Sequence, residues 1–206
     1  MAYRRTPRIQ ARLEAQRATL IDAAADILAE SGYGGCSIAA VTARAGVASG
    51  SVYTHFRSKA ELAAEVFRTI VTREVAAVRE AAATGTAADR IAAVIETFAG
   101  RALKSPRRAY ALLAEPVDPA VDALRLEFRH AYRDVIADAV ADGVRTGELP
   151  PQNATVVAAA LVGAIGEALV GPLVAPLTTD GPDPDTVPTL TRFAIRAVGG
   201  SDRADA

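Results

Sequence analysis

The sequence is poor in the residues that build disulfides, metal centres and aromatic cores. Its 206 residues include one cysteine, two histidines, five tyrosines, five phenylalanines and no tryptophan. Cys36 has no partner for an intramolecular disulfide or a thiolate cluster, which excludes a disulfide-stapled fold and favours an inert small residue. The histidines and acidic residues show no ligand spacing, so we predict neither a metal site nor a cofactor.

The glycine patterns of common enzymes are also missing. The sequence contains no Gly-x-Ser-x-Gly elbow, no Gly-x-Gly-x-x-Gly fingerprint and no phosphate-binding loop. Catalysis would need a carboxylate pair that the sequence does not reveal. We therefore predict that the protein is not an enzyme.

Apolar segments of membrane length are almost absent. Basic side chains interrupt the first thirty residues, so we predict no secretory signal and a cytoplasmic location. The most apolar run, residues 154–177, is long enough to cross a bilayer and has Glu167 as its only charge. A charge inside a membrane helix is costly, and Pro172 and Pro176 interrupt this run. We predict no membrane partner and expect the run to be buried in a core or against another chain.

Net charge is nearly absent overall but is unevenly distributed. The formal net charge is −1, yet residues 1–60 hold eight basic and four acidic side chains. The remainder of the chain is correspondingly acidic. A basic head on an acidic body favours a polyanion as the partner of the head.

Most of the sequence consists of helix-forming residues, and its apolar residues recur at the spacing of a helix. Half of the residues are hydrophobic, and they recur three and four apart between glycine and proline breaks. We find no convincing strand pattern. The sequence predicts an all-α fold of about nine helices, with an N-terminal three-helix head at residues 1–58 and a C-terminal helical bundle at residues 59–206.

The head contains a helix, a glycine turn and a short helix, the order of a helix-turn-helix. Ser37 is placed to cap the first of these helices, Gly46 to end it, and a further short helix begins near Ser49. A helix that enters the major groove needs short side chains at its leading end and hydrogen-bonding groups on its exposed face. The polar side chains that meet this need are Ser49, Ser51, Tyr53, Thr54 and His55.

Residues 45–62, AGVASGSVYTHFRSKAEL, resemble the DNA-binding signature of the TetR family of bacterial transcriptional regulators. The preceding helix, LIDAAADILAESGY at residues 20–33, and the all-helical remainder are similar to that family as well. The resemblance implies a close backbone approach to DNA at Gly50, and phosphate contacts from Tyr53 and Lys59.

Two positions depart from the family pattern. Ala48 stands where the family often has serine or threonine, and Thr42 stands where alanine is usual, on the side that faces DNA. The predicted DNA-contacting set is Ser37, Thr42, Ala48, Ser49, Gly50, Ser51, Tyr53, Thr54, His55 and Lys59.

The body is expected to pair with a second copy, because a half-site reader gains affinity and specificity by dimerising. We predict a homodimer through the last two long helices, about residues 154–177 and 185–198. In this interpretation Ala159 and Gly163 allow close approach, and Leu161 and Leu169 supply apolar area.

The resemblance also implies an effector cavity in the body, among helices near residues 59–83, 91–102, 118–143 and 153–177. The mixture of residues there predicts a small, mostly apolar effector with one or two polar groups. The predicted lining is Phe67, Ile70, Ile95, Phe98, Arg101, Tyr110, Leu124, Arg125, Phe128, Tyr132 and Glu167.

These observations predict a ligand-responsive DNA-binding transcriptional regulator. Repression is the commoner mode in the family, so we expect a repressor that binds a palindromic double-stranded operator as a dimer. Its effector would release it by separating the two heads. The alternative is a helical adaptor that binds only protein and has no specific affinity for DNA.

Overall fold

The computed structural model describes residues 6–174 and 183–200. Within these ranges the chain forms eight α-helices and one 3-10 helix, which confirms the all-α prediction. The helices are α1 (Pro7–Gly35), α2 (Ile38–Ala45), the 3-10 helix (Ser49–Thr54), α3 (Lys59–Ala81), α4 (Ala87–Lys104), α5 (Pro106–Leu113), α6 (Pro119–Thr146), α7 (Ala154–Val174) and α8 (Thr186–Ala197). Residues 175–177 of the predicted apolar run lie outside the described ranges.

Local signals set the helix ends in the head. The Ser37 hydroxyl accepts a hydrogen bond from the Ala40 amide at 3.1 Å and so caps α2. Gly46 ends α2 in the left-handed conformation, with φ of 66°. Helix α1 breaks at Gly32, where φ is 69°, and then continues for a short turn to Gly35. The predicted boundary residues Ser37 and Gly46 are confirmed.

Two apolar cores divide the molecule, and α3 belongs to both. Leu62, Phe67 and Ile70 of α3 pack in the head core with residues of α1, α2 and the 3-10 helix. Val78, near the other end of α3, packs in the body core with α4, α6 and α7. Helix α3 is therefore the structural connector between head and body.

Helix α7 is the one described helix that is long and apolar enough to span a membrane. The apolar window has a mean hydropathy of 2.0, and only 28% of it is buried. Leu161 and Leu169, predicted as interface residues, are instead buried in the body core of their own chain. The exposed side of α7 is lined by smaller residues, among them Ala160, Gly163 and Ala164.

Candidate DNA-binding surface and effector cavity

The 3-10 helix is fixed to the head by two buried side chains. Val52 and Phe56 are 0% and 2% exposed. The Arg17 guanidinium lies 5.2 Å from the centre of the Phe56 ring and pairs with Glu65 at 2.9 Å. These contacts hold the segment on α1 and α3, so its outer face has a defined orientation.

The outer face of the 3-10 helix is polar and exposed. Tyr53 is 60% exposed, although most tyrosine rings are largely covered in folded proteins. Ser49, Gly50 and Thr54 are exposed beside it, and Ser51 is half-buried. The residues predicted from the groove argument therefore share one accessible surface.

Thr42 does not lie on that surface, which corrects its predicted role as a DNA contact. Its side chain is 2% exposed, and its hydroxyl donates to the carbonyl groups of Ile38 and Ala39 at 3.0 and 3.1 Å. The Ser49 hydroxyl lies 3.4 Å from the Thr42 hydroxyl. Thr42 is thus a buried support for Ser49. The sequence pattern placed it on the wrong side of a helix only eight residues long.

The other predicted contacts lie at the edge of the surface. The Ser37 hydroxyl is exposed but engaged in its cap, and Ala48 is exposed at the start of the 3-10 helix. Nε2 of His55 lies 3.1 Å from Oε1 of Gln16, which ties the end of the segment to α1. Nζ of Lys59 lies 4.6 Å from the centre of the Tyr33 ring, a cation–π contact that positions the ammonium group.

Gly50 offers a test of the surface. Among the described residues, no atom lies within 4 Å of where its Cβ would be, and its φ is not positive, so the packing around it does not require glycine there. We expect Gly50→Ala to leave the free energy of unfolding unchanged or slightly raised, while weakening DNA binding about tenfold, because the added methyl group meets the DNA backbone.

Gly46→Ala is the matched control for this substitution. Its Cβ would also meet open space, but its φ of 66° strains any other residue. Chemical denaturation should show a loss of about 1 kcal/mol for Gly46→Ala and none for Gly50→Ala. Unchanged DNA affinity for Gly50→Ala, measured by fluorescence anisotropy, would contradict the proposed approach at this position.

The body contains a partly open cavity of about 440 Å³ between α3, α4, α5, α6 and α7. This is within the size range of small-molecule sites, about 300–1,000 Å³. Apolar residues, among them Val94, Ile95, Leu161 and Ile165, line much of it, and Phe98 packs edge-on against Tyr132 with ring centres 5.0 Å apart.

The cavity contains some of the predicted lining residues and excludes others. Those that line it are Ile95, Phe98, Arg101, Arg125, Phe128, Tyr132 and Glu167. Four predicted residues do not, which is a correction: Phe67, Ile70 and Leu124 are buried in the head core, and Tyr110 packs against the body core. Sequence reasoning missed Glu74, Arg108 and Arg129, because it followed apolar stripes and these charged side chains lie beside them.

Ion pairs organise one wall of the cavity. The Glu74 carboxylate accepts hydrogen bonds from Arg101 and lies 4.0 Å from Arg108. The hydrogen bond that Arg101 donates to Glu74 raises the pKa of Arg101. Burial raises the pKa of Tyr132, and the negative charge of Glu74 raises it further. The Tyr132 hydroxyl is therefore protonated and can donate a hydrogen bond at neutral pH.

Arg125 has a structural role that its sequence position does not reveal. Its guanidinium donates to the carbonyl groups of Leu112 at 3.0 Å and Ala111 at 2.7 Å, and also to that of Glu115. These carbonyl groups lie at the end of α5 and in the segment that follows it. Arg125 thus holds the cavity wall to the connection between α5 and α6.

That connection is in turn fastened to the head. The Glu115 carboxylate accepts hydrogen bonds from the amides of Tyr33 at 2.7 Å and Gly34 at 3.2 Å. The Tyr33 hydroxyl donates to Asp118. A Cβ on Gly32 would lie 2.8 Å from a Glu115 oxygen, so a glycine at the break in α1 allows this approach. We call these contacts of Glu115 and Asp118 with residues 33–34 the head clamp.

Comparisons with known proteins agree with the two-part architecture. Residues 20–66 match the family model described as bacterial regulatory proteins, tetR family. Residues 84–168 match the model of the tetracyclin repressor-like C-terminal domain. Among curated proteins, none matches the chain in sequence.

Solved structures share the fold over nearly the whole chain. FadR from Bacillus subtilis, in complex with stearoyl-CoA, is 20% identical, with a TM-score of 0.74 over 90% of this chain and 99% of that one. A TetR transcription regulator from Haloarcula marismortui is 18% identical, with a TM-score of 0.76 over 90% and 97%. RolR, in complex with resorcinol, is 18% identical, with a TM-score of 0.69 over 93% and 91%. At such low identity these matches establish the fold alone.

The two family models together cover more than half of the chain, from the first buried turn of α1 into α7. Both describe regulatory proteins, which confirms that the protein is not an enzyme and argues against a protein-only adaptor. The chain belongs to the TetR family of DNA-binding transcriptional regulators, whose members typically respond to small-molecule effectors.

Proposed function

We propose that the protein is a cytoplasmic repressor that binds a palindromic operator as a homodimer and is released by a small, mostly apolar effector. One observation carries the proposal: an exposed polar surface at residues 49–54 lies on a head whose helix α1 is hydrogen-bonded, through the head clamp, to a body with a cavity. FadR and RolR, which share the fold, have structures with small molecules bound.

The head supplies the DNA contacts in this proposal. Ser49, Ser51 and Thr54 are suited to base edges or phosphates, and the Tyr53 hydroxyl to a phosphate. His55 and Lys59, both held by α1, lie where they can bind the DNA backbone. We propose residues 1–58 as the DNA-binding unit and 59–206 as the effector and dimerisation unit, with α3 coupling them.

The exposed face of α7 supports the proposed dimer. Gly171 is exposed, and among the described residues no atom lies within 4 Å of a Cβ built on it. Ala160 and Ala164 are exposed on the same helix. Val156 is 62% exposed near one end of this face, and Phe193 of α8 is 46% exposed. Small residues allow a second α7 to approach closely, and its burial would remove this apolar surface from water.

The head clamp gives the effector signal a path to the DNA-binding surface. A ligand in the cavity pushes on the wall that Arg125 holds, and Arg125 holds the backbone of Glu115. Glu115 fixes Tyr33, on whose ring Lys59 rests. We propose that a filled cavity shifts the α5–α6 connection and so changes the tilt of the head relative to α3.

Removing the clamp should loosen the head. We expect Glu115→Ala to lower the free energy of unfolding by about 1–2 kcal/mol, because two backbone amides lose a carboxylate partner. Hydrogen exchange at the amides of Tyr33 and Gly34 should accelerate. A compound that releases the wild-type protein from DNA should release the variant less, measured as the ratio of dissociation constants with and without the compound.

Glu148→Ala is the matched control, since Glu148 accepts a hydrogen bond from the Ala87 amide at 2.6 Å, and its other described hydrogen-bond partner, Thr146, also lies in the body. It should leave exchange at Tyr33 and Gly34 unaltered. Equal release ratios for wild type and Glu115→Ala would contradict the proposed path.

Selection of bound duplexes from a random DNA library tests the proposed function. We expect an enriched palindrome whose half-sites are centred about 10 base pairs apart, or a multiple of that spacing. Enrichment of a single unrepeated half-site, or no enrichment, would contradict dimeric operator recognition. A reporter gene placed behind the selected site should be expressed less when the protein is present; increased expression would indicate an activator.

A further inference from the structure

The charged residues in the cavity are mostly arginines. Four arginines, Arg101, Arg108, Arg125 and Arg129, line it with only two acidic side chains, Glu74 and Glu167. A guanidinium cannot lose its proton at neutral pH, so positive charge exceeds negative charge in the lining. This excess of positive charge favours an anionic ligand over a cationic one.

Two of the four arginines are already engaged. Arg101 is bonded to Glu74, and Arg125 is bonded to carbonyl groups of the α5 end. The one described ion pair of Arg108 is with the same Glu74 carboxylate, and a guanidinium nitrogen of Arg108 lies 4.0 Å from a carboxylate oxygen of Glu74. Arg129 has no hydrogen bond or ion pair within residues 6–174 and 183–200. Arg108 and Arg129 are therefore the cations available to a ligand.

A cationic ligand would find few available acidic side chains in this cavity. Two arginines already compete for Glu74, so a cationic ligand would have to displace one of them. Glu167 is exposed on α7 and is the remaining acid. The Tyr132 hydroxyl makes no hydrogen bond to another described residue, and as a donor it suits an anion or a neutral oxygen.

We propose that the effector is an organic anion with an apolar body and one carboxylate or phosphate head. Its body packs against Ile95, Phe98 and Leu161, and its head binds Arg108 and Arg129 at the polar side of the cavity. A planar guanidinium binds either head group through paired hydrogen bonds. This inference rests on the proposed role of the cavity as the effector site, and it adds the charge of the ligand.

Isothermal titration calorimetry on the DNA-free protein tests the charge requirement. The ligands within each set share one apolar group and differ in the charge of the head group. The probes are octanoate, octyl phosphate, octanol and octylamine, with benzoate, benzyl alcohol and benzylamine as a set with a shorter aromatic body. We expect at least one anion to bind about tenfold or more tightly than the neutral and cationic compounds of its set. The comparison of octanoate with octyl phosphate identifies the preferred head.

Substitutions then locate the head group. Arg129→Gln and Arg108→Gln should each weaken the best anion about tenfold and leave octanol binding unchanged. Arg145→Gln, on an exposed turn of α6 outside the cavity, is the control and should change nothing. The variant binding curves are read beside circular dichroism spectra and melting temperatures, which should match those of the wild type.

Three results would overturn the inference: preference for octylamine or benzylamine, equal binding of neutral and anionic compounds, or no anion bound at about 1 mM, the weak end of specific affinity. Because these titrations contain no DNA, they do not depend on operator recognition. Tight operator binding together with a preference for neutral compounds would leave the proposed function standing and remove only the anionic effector.

Discussion

Ala160→Arg combined with Ala164→Arg is expected to convert the protein to monomers and to remove its tight binding to operator DNA. The two alanines lie one turn apart on the exposed face of α7. Arginine at both positions of both chains places four charges in the proposed homodimer interface, which small apolar residues line. Removing these charges from water is costly. Since each head contacts only a half-site, we expect the apparent affinity to fall by at least about 10²-fold.

Sedimentation velocity and anisotropy titrations on the same samples test this prediction. The positions are exposed in the single chain, so the circular dichroism spectrum should keep its helical signature. Ala123→Arg, at an exposed position of α6, is the control and should stay dimeric. A double variant that sediments as a dimer and binds the operator normally would contradict the α7 interface.

Tyr53→Phe is expected to weaken operator binding by about 10²-fold or more without changing the stability of the protein. The hydroxyl of this 60% exposed side chain bonds to nothing among residues 6–174 and 183–200, so its removal costs the free protein little. A hydrogen bond to a charged phosphate contributes about 1.5–3 kcal/mol. The proposed dimer presents two copies of Tyr53, so the loss counts twice.

The effect of Tyr53→Phe should extend to all DNA sequences, because phosphates carry no sequence information. Anisotropy titrations on operator and shuffled duplexes measure it. Tyr110→Phe, which makes the same chemical change in the body, is the control and should leave DNA affinity intact. If Tyr53→Phe changed only the preference between sequences, the assignment of Tyr53 to a phosphate would be wrong.

The sequence predicts the head well because its signals are local. Ser37 caps α2 three residues away, and Gly46 ends the same helix. Val52 and Phe56 are four residues apart and meet the same core. Thr42 is the exception. In a helix of eight residues, a shift of one position along the sequence changes whether a hydroxyl is buried or exposed to the DNA groove.

The body is less predictable because its contacts join distant parts of the chain. The head clamp joins the backbone amide of Tyr33 to the side chain of Glu115, and no pattern in the sequence predicts this contact. Arg125 lines the cavity as the sequence predicts, but its guanidinium bonds to backbone carbonyl groups that only the packing of α5 on α6 brings within reach. The spacing of apolar residues along the sequence does not predict how α5 packs on α6.

Helix α7 shows a further limit of periodicity. It is apolar nearly all round, so no polar stripe indicates which face lies in the core. The structure buries Leu161 and Leu169 and leaves Ala160 and Ala164 exposed, which moves the proposed interface to the side with small residues. In α4, by contrast, the charged side chains Arg90 and Glu96 mark a polar side opposite buried Ile91 and Ile95.

Fluorescence anisotropy on the intergenic DNA beside the protein's own gene, with shuffled DNA of equal length and a series of salt concentrations, tests the central claim most directly. We predict a preference of about 10³-fold or more for the intergenic DNA, a steep salt dependence and at least two chains per site. Lys59→Ala should lower the salt slope by about one for each phosphate that the ammonium group no longer neutralises. Absence of binding to either DNA at low salt would contradict the assignment of residues 49–59 as a DNA-binding surface.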